Sequence, residues 1–148
     1  MTVKDQQAPA SSAVLDTRQF PVVILSEFGV LADAERVRII EELEELLQRP
    51  QRHGMMVDLT RSAPIPDGQC IYIAEAFQTL KPLIVEKWTG VALLIGKPLL
   101  AQTKLAGFWQ RVLPIPAQVF SELGSAMRWL QASEGATPSQ PVPMRKAK

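Results

Sequence analysis

Residue types able to do chemistry are few in this chain. There is one histidine, His53, and one cysteine, Cys70, and between them lie Asp58, Thr60, Ser62 and Asp67. Nucleophilic catalysis needs a Ser, Cys or Thr beside a base that a third group orients. His53 precedes the apolar run Met55-Met56-Val57, and Cys70 follows a proline-containing loop, so base and thiol are expected at opposite ends of one strand. Cys70 falls where a helix should begin, and a helix dipole there lowers a thiol pKa; a small packing residue is the preferred reading. One cysteine excludes an internal disulfide, and with one histidine it leaves too few ligands for zinc. No metal and no cofactor are expected. Glu41, Glu42, Glu44 and Glu45 would suit paired acid–base work, but they fall on the polar side of a helical pattern, which reads as a solvated face. No acid, base and nucleophile converge, so no enzyme is expected.

Other motifs also favour structural readings. Gly90 and Gly96 precede Lys97 at a strand end, as in a phosphate loop. Five apolar residues separate the glycines, however, and Pro98 stands where a magnesium-binding hydroxyl belongs. Trp88, Trp109 and Trp129 read as core or rim aromatics. With 16 basic against 15 acidic residues, a net charge of +1 creates no basic groove for nucleic acid. No apolar run is long enough to span a bilayer, and the first residues lack the basic start and apolar core of a signal peptide. A cytoplasmic protein is expected.

The elements that must position Asp58 to Cys70 follow from periodicity. With 148 residues and 47% hydrophobic content, one domain is expected. Residues 1–17 are polar and aperiodic and read as a disordered leader. Residues 18–131 form the domain, and residues 132–148, with three prolines and a basic end, read as a flexible tail. Val22-Val23-Ile24-Leu25 and Phe28-Gly29-Val30-Leu31 predict one or two strands with a turn or bulge at Gly29. Asp33 is placed to cap a helix whose inward stripe is Val37, Ile40, Leu43 and Leu47, widened by Ile39 and Leu46. Met55-Met56-Val57-Asp58-Leu59-Thr60 is a strand covered on both faces, and the carboxyl end of such a strand is where open α/β sheets place their sites. Pro64 and Pro66 hold the following loop extended. Asp67 is placed to cap a second helix through Ala74, Phe77 and Leu80, which Pro82 ends or kinks. Gly90 to Gly96 is another buried strand. Pro98 opens a third helix whose inward side is Leu99, Leu100, Thr103, Ala106 and Trp109. Val119-Phe120 is a short strand, and Ser121 is placed to cap a last helix carrying Leu123, Met127 and Leu130. The alternation implies an α/β fold: a mostly parallel or mixed sheet of about four or five strands covered by about four helices.

With this order in place, the chain resembles the STAS domain superfamily in its SpoIIAA-like (STAS/SEC14-like) branch. Carrying the resemblance are Val57-Asp58-Leu59-Thr60, the proline-containing loop to Asp67-Gly68, the strand Val91 to Ile95, and Val119-Phe120 to Trp129-Leu130. Anti-sigma-factor antagonists of the superfamily have an Asp-Leu-Ser strand end, matched by Asp58, Leu59 and Thr60, and a phosphorylatable serine whose position falls on Asp67. Asp67 carries permanent charge where the family would switch charge on, and Gly68 stands where the family often has a hydroxyl residue. The resemblance therefore implies an interaction module without the usual phosphoserine switch.

Two functions are carried forward. In the first, a non-enzymatic regulatory module docks a protein partner through Asp58, Thr60, Arg61, Ser62, Asp67 and Gly68. In the alternative, a SEC14-like carrier or sensor of a lipid or other small apolar ligand holds it among Ile71, Phe77, Leu83 and Trp109, between the second and third helices.

Overall fold

The run Gly54-Met55-Met56-Val57 is apolar without alternation because its strand is paired on both edges and covered on both faces. Residues 12–97 and 100–133 are described, from a computed structural model. Among them the elements are β1 (Ser12–Asp16), β2 (Val22–Phe28), α1 (Asp33–Leu47), β3 (His53–Asp58), α2 (Asp67–Lys87), β4 (Trp88–Leu94), α3 (Leu100–Val112), β5 (Ala117–Phe120) and α4 (Leu123–Ser133). They form a mixed α/β sheet in the order β1-β2-β3-β4-β5, with β1 antiparallel to β2 and the remaining pairs parallel.

Period-two alternation divides the strands between two apolar layers. Val23, Leu25, Met55, Val57, Val91 and Leu93 face α1, α2 and α3, where Leu43, Phe77 and Trp109 meet them. Val22, Met56, Ala92 and Leu94 face Ala126 and Leu130 of α4. Gly90 admits the Trp129 ring, which would stand 3.4 Å from a β-carbon there.

Residues 1–17 were expected to be a leader, but Ser12–Asp16 is an edge strand; residues 1–11 and 134–148 lie outside the described residues. Ala13 and Leu15 pack inward while Val14 faces out, an alternation too short to stand out in a polar segment. The strand's outer edge is closed by α1. Glu35 Oε2 accepts from Ala13 N at 3.0 Å, and Arg38 Nη2 donates to Ala13 O at 2.7 Å and to Glu35 Oε2 at 2.7 Å. These bonds occupy backbone groups that would otherwise template another strand.

Helix α1 turns Arg36 rather than Val37 inward. Arg36 and Glu27 are each only 2% exposed, whereas Val37 is on the surface. The guanidinium forks onto the carboxylate at 2.6 and 3.0 Å, and its Nε donates to Gln69 Oε1 at 3.1 Å. Gln69 Nε2 donates to Leu31 O at 2.8 Å and Asp33 Oδ1 at 2.9 Å. Asp33 thus ties two helices together and does not cap its own, whose N-cap is Ala32 without a side-chain bond. At the other end, buried Lys87 donates to the carbonyls of Leu47 and Arg49, placing a cation at the negative end of α1.

Helix α2 runs through Pro82 to Lys87. Proline removes a donor to the carbonyl four residues earlier. Gln78, which carries that carbonyl, is exposed, as is Pro82, so the break in the ladder falls on the solvent side of the helix. In α3 the buried residues are Leu105, Ala106 and Trp109; Leu100 and Thr103 face out, and Leu99 lies outside the described residues.

Two predictions follow from these ties. Removing one partner of a buried pair strands the other charge and costs about 3–5 kcal/mol, so Arg36→Ala should lower the urea midpoint by that equivalent. A loss below about 1 kcal/mol, the scale of a surface pair, would contradict the structural role. Glu35 is held down from 4.5 to about 2, first by the Arg38 hydrogen bond and then by the Ala13 N–H. Because the folded pKa lies below the unfolded one, this clamp contributes fully above the unfolded pKa of 4.5 and is lost as pH falls toward 2. The Ala13 amide resonance should titrate with a midpoint near 2; a midpoint at the ordinary carboxylate value would contradict the clamp.

Candidate functional site

Parallel strands β2, β3 and β4 deliver their carboxyl ends to one edge of the sheet, and the β3–α2 loop lies across it. Asp58, the last residue of β3, accepts from Thr60 N at 3.0 Å and Thr60 Oγ1 at 2.7 Å through one carboxylate oxygen. This Asx turn starts the loop. Buried Leu59 anchors it, its N–H donating to Leu94 O of β4 at 2.8 Å. Toward β2, Gly29 N donates to Arg61 O at 3.1 Å, and Ser62 Oγ donates to Glu27 O at 3.4 Å. The Arg61 guanidinium lies 5.6 Å from the Phe28 ring centroid.

Two glycines make this crossing fit. Gly29 (φ 69°) turns the chain just after β2, and Gly96 (φ 65°) does so just after β4. A β-carbon on Gly96 would stand 3.2 Å from Thr60 Cγ2.

At the start of α2 the N-cap is Pro66, with no side-chain cap bond. Asp67 therefore does not cap the helix. It occupies the exposed first turn, where its charge meets the positive end of the helix dipole. Gly68 is exposed as well, and a β-carbon there meets nothing within 4 Å. Cys70 Sγ donates to Ile65 O at 3.6 Å. Burial, then the Asp67 charge, pushes its thiol pKa up, away from the thiolate that catalysis needs.

The loop thus gathers the sequence candidates along one edge, with Thr60, Arg61, Asp67 and Gly68 exposed and Asp58 and Ser62 partly buried. His53 sits at the far end of β3, fully buried beside Phe20 and Trp88, and burial pushes its pKa down to about 4. Among the described residues, no three His, Cys, Asp or Glu gather as a metal set. No helix there is long and apolar enough to cross a membrane.

Ile71, Phe77, Leu83 and Trp109 do not share one environment. Phe77 and Trp109 are core residues with ring centroids 5.8 Å apart, while Ile71 is 61% exposed. Ile71 lies two residues before Ile73 and six before Phe77, so the helical turn places it away from the buried stripe. A cleft of about 480 Å³ opens instead between Pro64, Ile65 and Cys70 on one side and Leu100, Lys104, Phe108 and Arg111 of α3 on the other.

Sequence reasoning missed Glu27, Arg36 and Gln69, which brace this edge from within. Their signal was present: Glu27 continues the inward set Val23, Leu25, and Arg36 stands one turn before Ile40 on the inward stripe of α1. Gln69 likewise begins the inward stripe Ile73, Phe77, Leu80 of α2.

No protein-family model matches this chain, and no curated protein matches it in sequence. Solved structures do share its fold. An uncharacterized protein of the DUF3478 family with a SpoIIAA-like fold, from Shewanella loihica PV-4, superposes with a TM-score of 0.59 at 15% identity, covering 84% of this chain and 98% of that one. An anti-sigma factor antagonist from Mycobacterium paratuberculosis superposes with a TM-score of 0.53 at 14% identity, with the same coverage. The fold is SpoIIAA-like.

Left-handed backbone costs a residue with a β-carbon about 1–2 kcal/mol. Gly96→Ala should therefore lower stability by at least that amount in urea denaturation and shift the Thr60 amide resonance. An unchanged midpoint and an unmoved Thr60 would show that the close approach does not constrain the loop.

Proposed function

We propose that this SpoIIAA-like chain is a non-enzymatic cytoplasmic regulatory module, docking a protein partner through the β3–α2 loop and the start of α2 without a phosphoserine switch. The observation that carries this reading is the braced loop. Asp58, Leu59, Arg61 and Ser62 hold it through bonds within the loop and to β2 and β4, while Thr60, Arg61, Asp67 and Gly68 face outward. A surface held in one conformation before binding loses little further freedom on binding, which favours docking. Asp67 supplies a constant negative charge at the helix start, so binding would need no modification to create it. The fold shared with a protein named as an anti-sigma factor antagonist supports a regulatory role acting on another protein.

The cleft beside α3 favours the second reading, a carrier or sensor of a lipid or other apolar ligand, because its volume of about 480 Å³ falls within the range of small-molecule pockets. The cleft is open along one side, however, and would leave an acyl chain partly in water.

Asp67→Lys and Gly68→Arg change exposed positions and should leave the urea midpoint within about 1 kcal/mol of wild type. Each should weaken capture of the partner from the protein's own cell extract at least tenfold. Undiminished capture by both variants removes this surface from consideration.

A further inference from the structure

The cleft beside the loop has a chemistry that the docking reading leaves unused. Its floor is apolar, built from Pro64, Ile65, Leu105 and Phe108, and Leu100 stands 71% exposed at its rim. Lys104 and Arg111 line the α3 side, both exposed. Seven residues apart on one helix, they stand about 10 Å from each other along its axis. The segment they belong to is one-sided in charge: from Lys87 to Ser121 there are lysines and an arginine but no Asp or Glu. Among the described residues neither cation joins an ion pair. No Asp or Glu is among the residues that line the cleft; the charges acting on Cys70 in its wall are those of Asp67, Arg36 and Arg111.

An apolar trough with two uncompensated cations two helical turns apart selects for a complementary occupant. We propose that the cleft receives an acidic, apolar-anchored segment of the protein partner. Its aliphatic or aromatic side chain rests on Ile65 and Phe108, and its two carboxylates, about 10 Å apart, meet Lys104 and Arg111. This assignment rests on the docking reading and extends it from the loop onto the face of α3. The open side of the cleft suits a segment that remains part of a larger partner, and the charges add register and steering to the apolar contact.

The test uses two synthetic 14-residue helical peptides, each with Leu at two adjacent central positions. One peptide carries Glu three residues before the first Leu and three after the second, a spacing of seven; the other carries Lys at both places. Amide resonances of Cys70, Leu105 and Phe108 report occupancy in the full chain. The Glu peptide should bind at least tenfold more tightly than the Lys peptide and weaken with added salt. The double variant Lys104→Glu/Arg111→Glu, at exposed positions, should reverse that preference. Equal binding of both peptides, or no binding of either, overturns the proposal. So does dodecanoate moving the same amides while the Glu peptide moves none, which would make the cleft a small-amphiphile site. A partner lost to Asp67→Lys but fully retained by Lys104→Glu/Arg111→Glu overturns the cleft assignment and leaves the docking reading standing. A partner indifferent to both Asp67→Lys and Gly68→Arg sinks the docking reading, while the charge reversal still decides what the cleft binds.

Discussion

The ion pair between Glu27 and Arg36 is the interaction on which the rest of this edge depends. Both charges are withdrawn from water, and such a pair is tolerated only when its geometry is good and its remaining donors are satisfied. Here the guanidinium meets the carboxylate with two bonds and reaches Gln69 with a third. The consequence is positional: the end of β2, the first turn of α1 and the first turn of α2 can come together in one arrangement only if all three polar groups are met. Lys87 plays the matching part at the far end, where it meets the carbonyls of Leu47, the last residue of α1, and of Arg49 beyond it. Apolar contacts fill the space between these two ties.

From that brace the surface follows. Glu27 lends its backbone carbonyl to Ser62 while its side chain holds Arg36, so the loop and the internal pair share one residue. Gly29 and Gly96, each in a left-handed conformation, let the chain turn sharply on either side of the loop. The outward residues Thr60, Arg61, Asp67 and Gly68 are thus carried on a backbone fixed from three strands. The docking reading takes this surface as a platform for recognition. The only thiol near it is pushed toward its neutral form, and the only histidine is buried at the opposite end of β3.

Much of this was legible in the sequence, and the exceptions have physical reasons. β3 and β4 declare themselves because strands buried on both faces must be apolar throughout, and the order of elements then implies a largely parallel sheet with the β3–α2 loop across its strand ends. β1 was hidden because an edge strand of five residues with one solvent face resembles the polar segment around it. Asp33 and Asp67 were read as caps because of their positions before apolar periodicity; both helices instead begin after residues without a side-chain cap bond, leaving the carboxylates in the first turn. The apolar four of the ligand reading divide between core and surface because residue type does not tell a core side chain such as Phe77 from a surface one such as Ile71. Arg36 carries a charge, yet its spacing from Ile40 and Leu43 places it on the inward stripe of α1.

What occupies this edge in the cell decides between the two functions. Native mass spectrometry of the intact protein, drawn gently from its own cell extract, tests that most directly because it registers protein and small-molecule partners together. The docking account predicts a stoichiometric complex with a second protein. A chain that instead carries a small apolar molecule and no protein would contradict it and make the second reading the function.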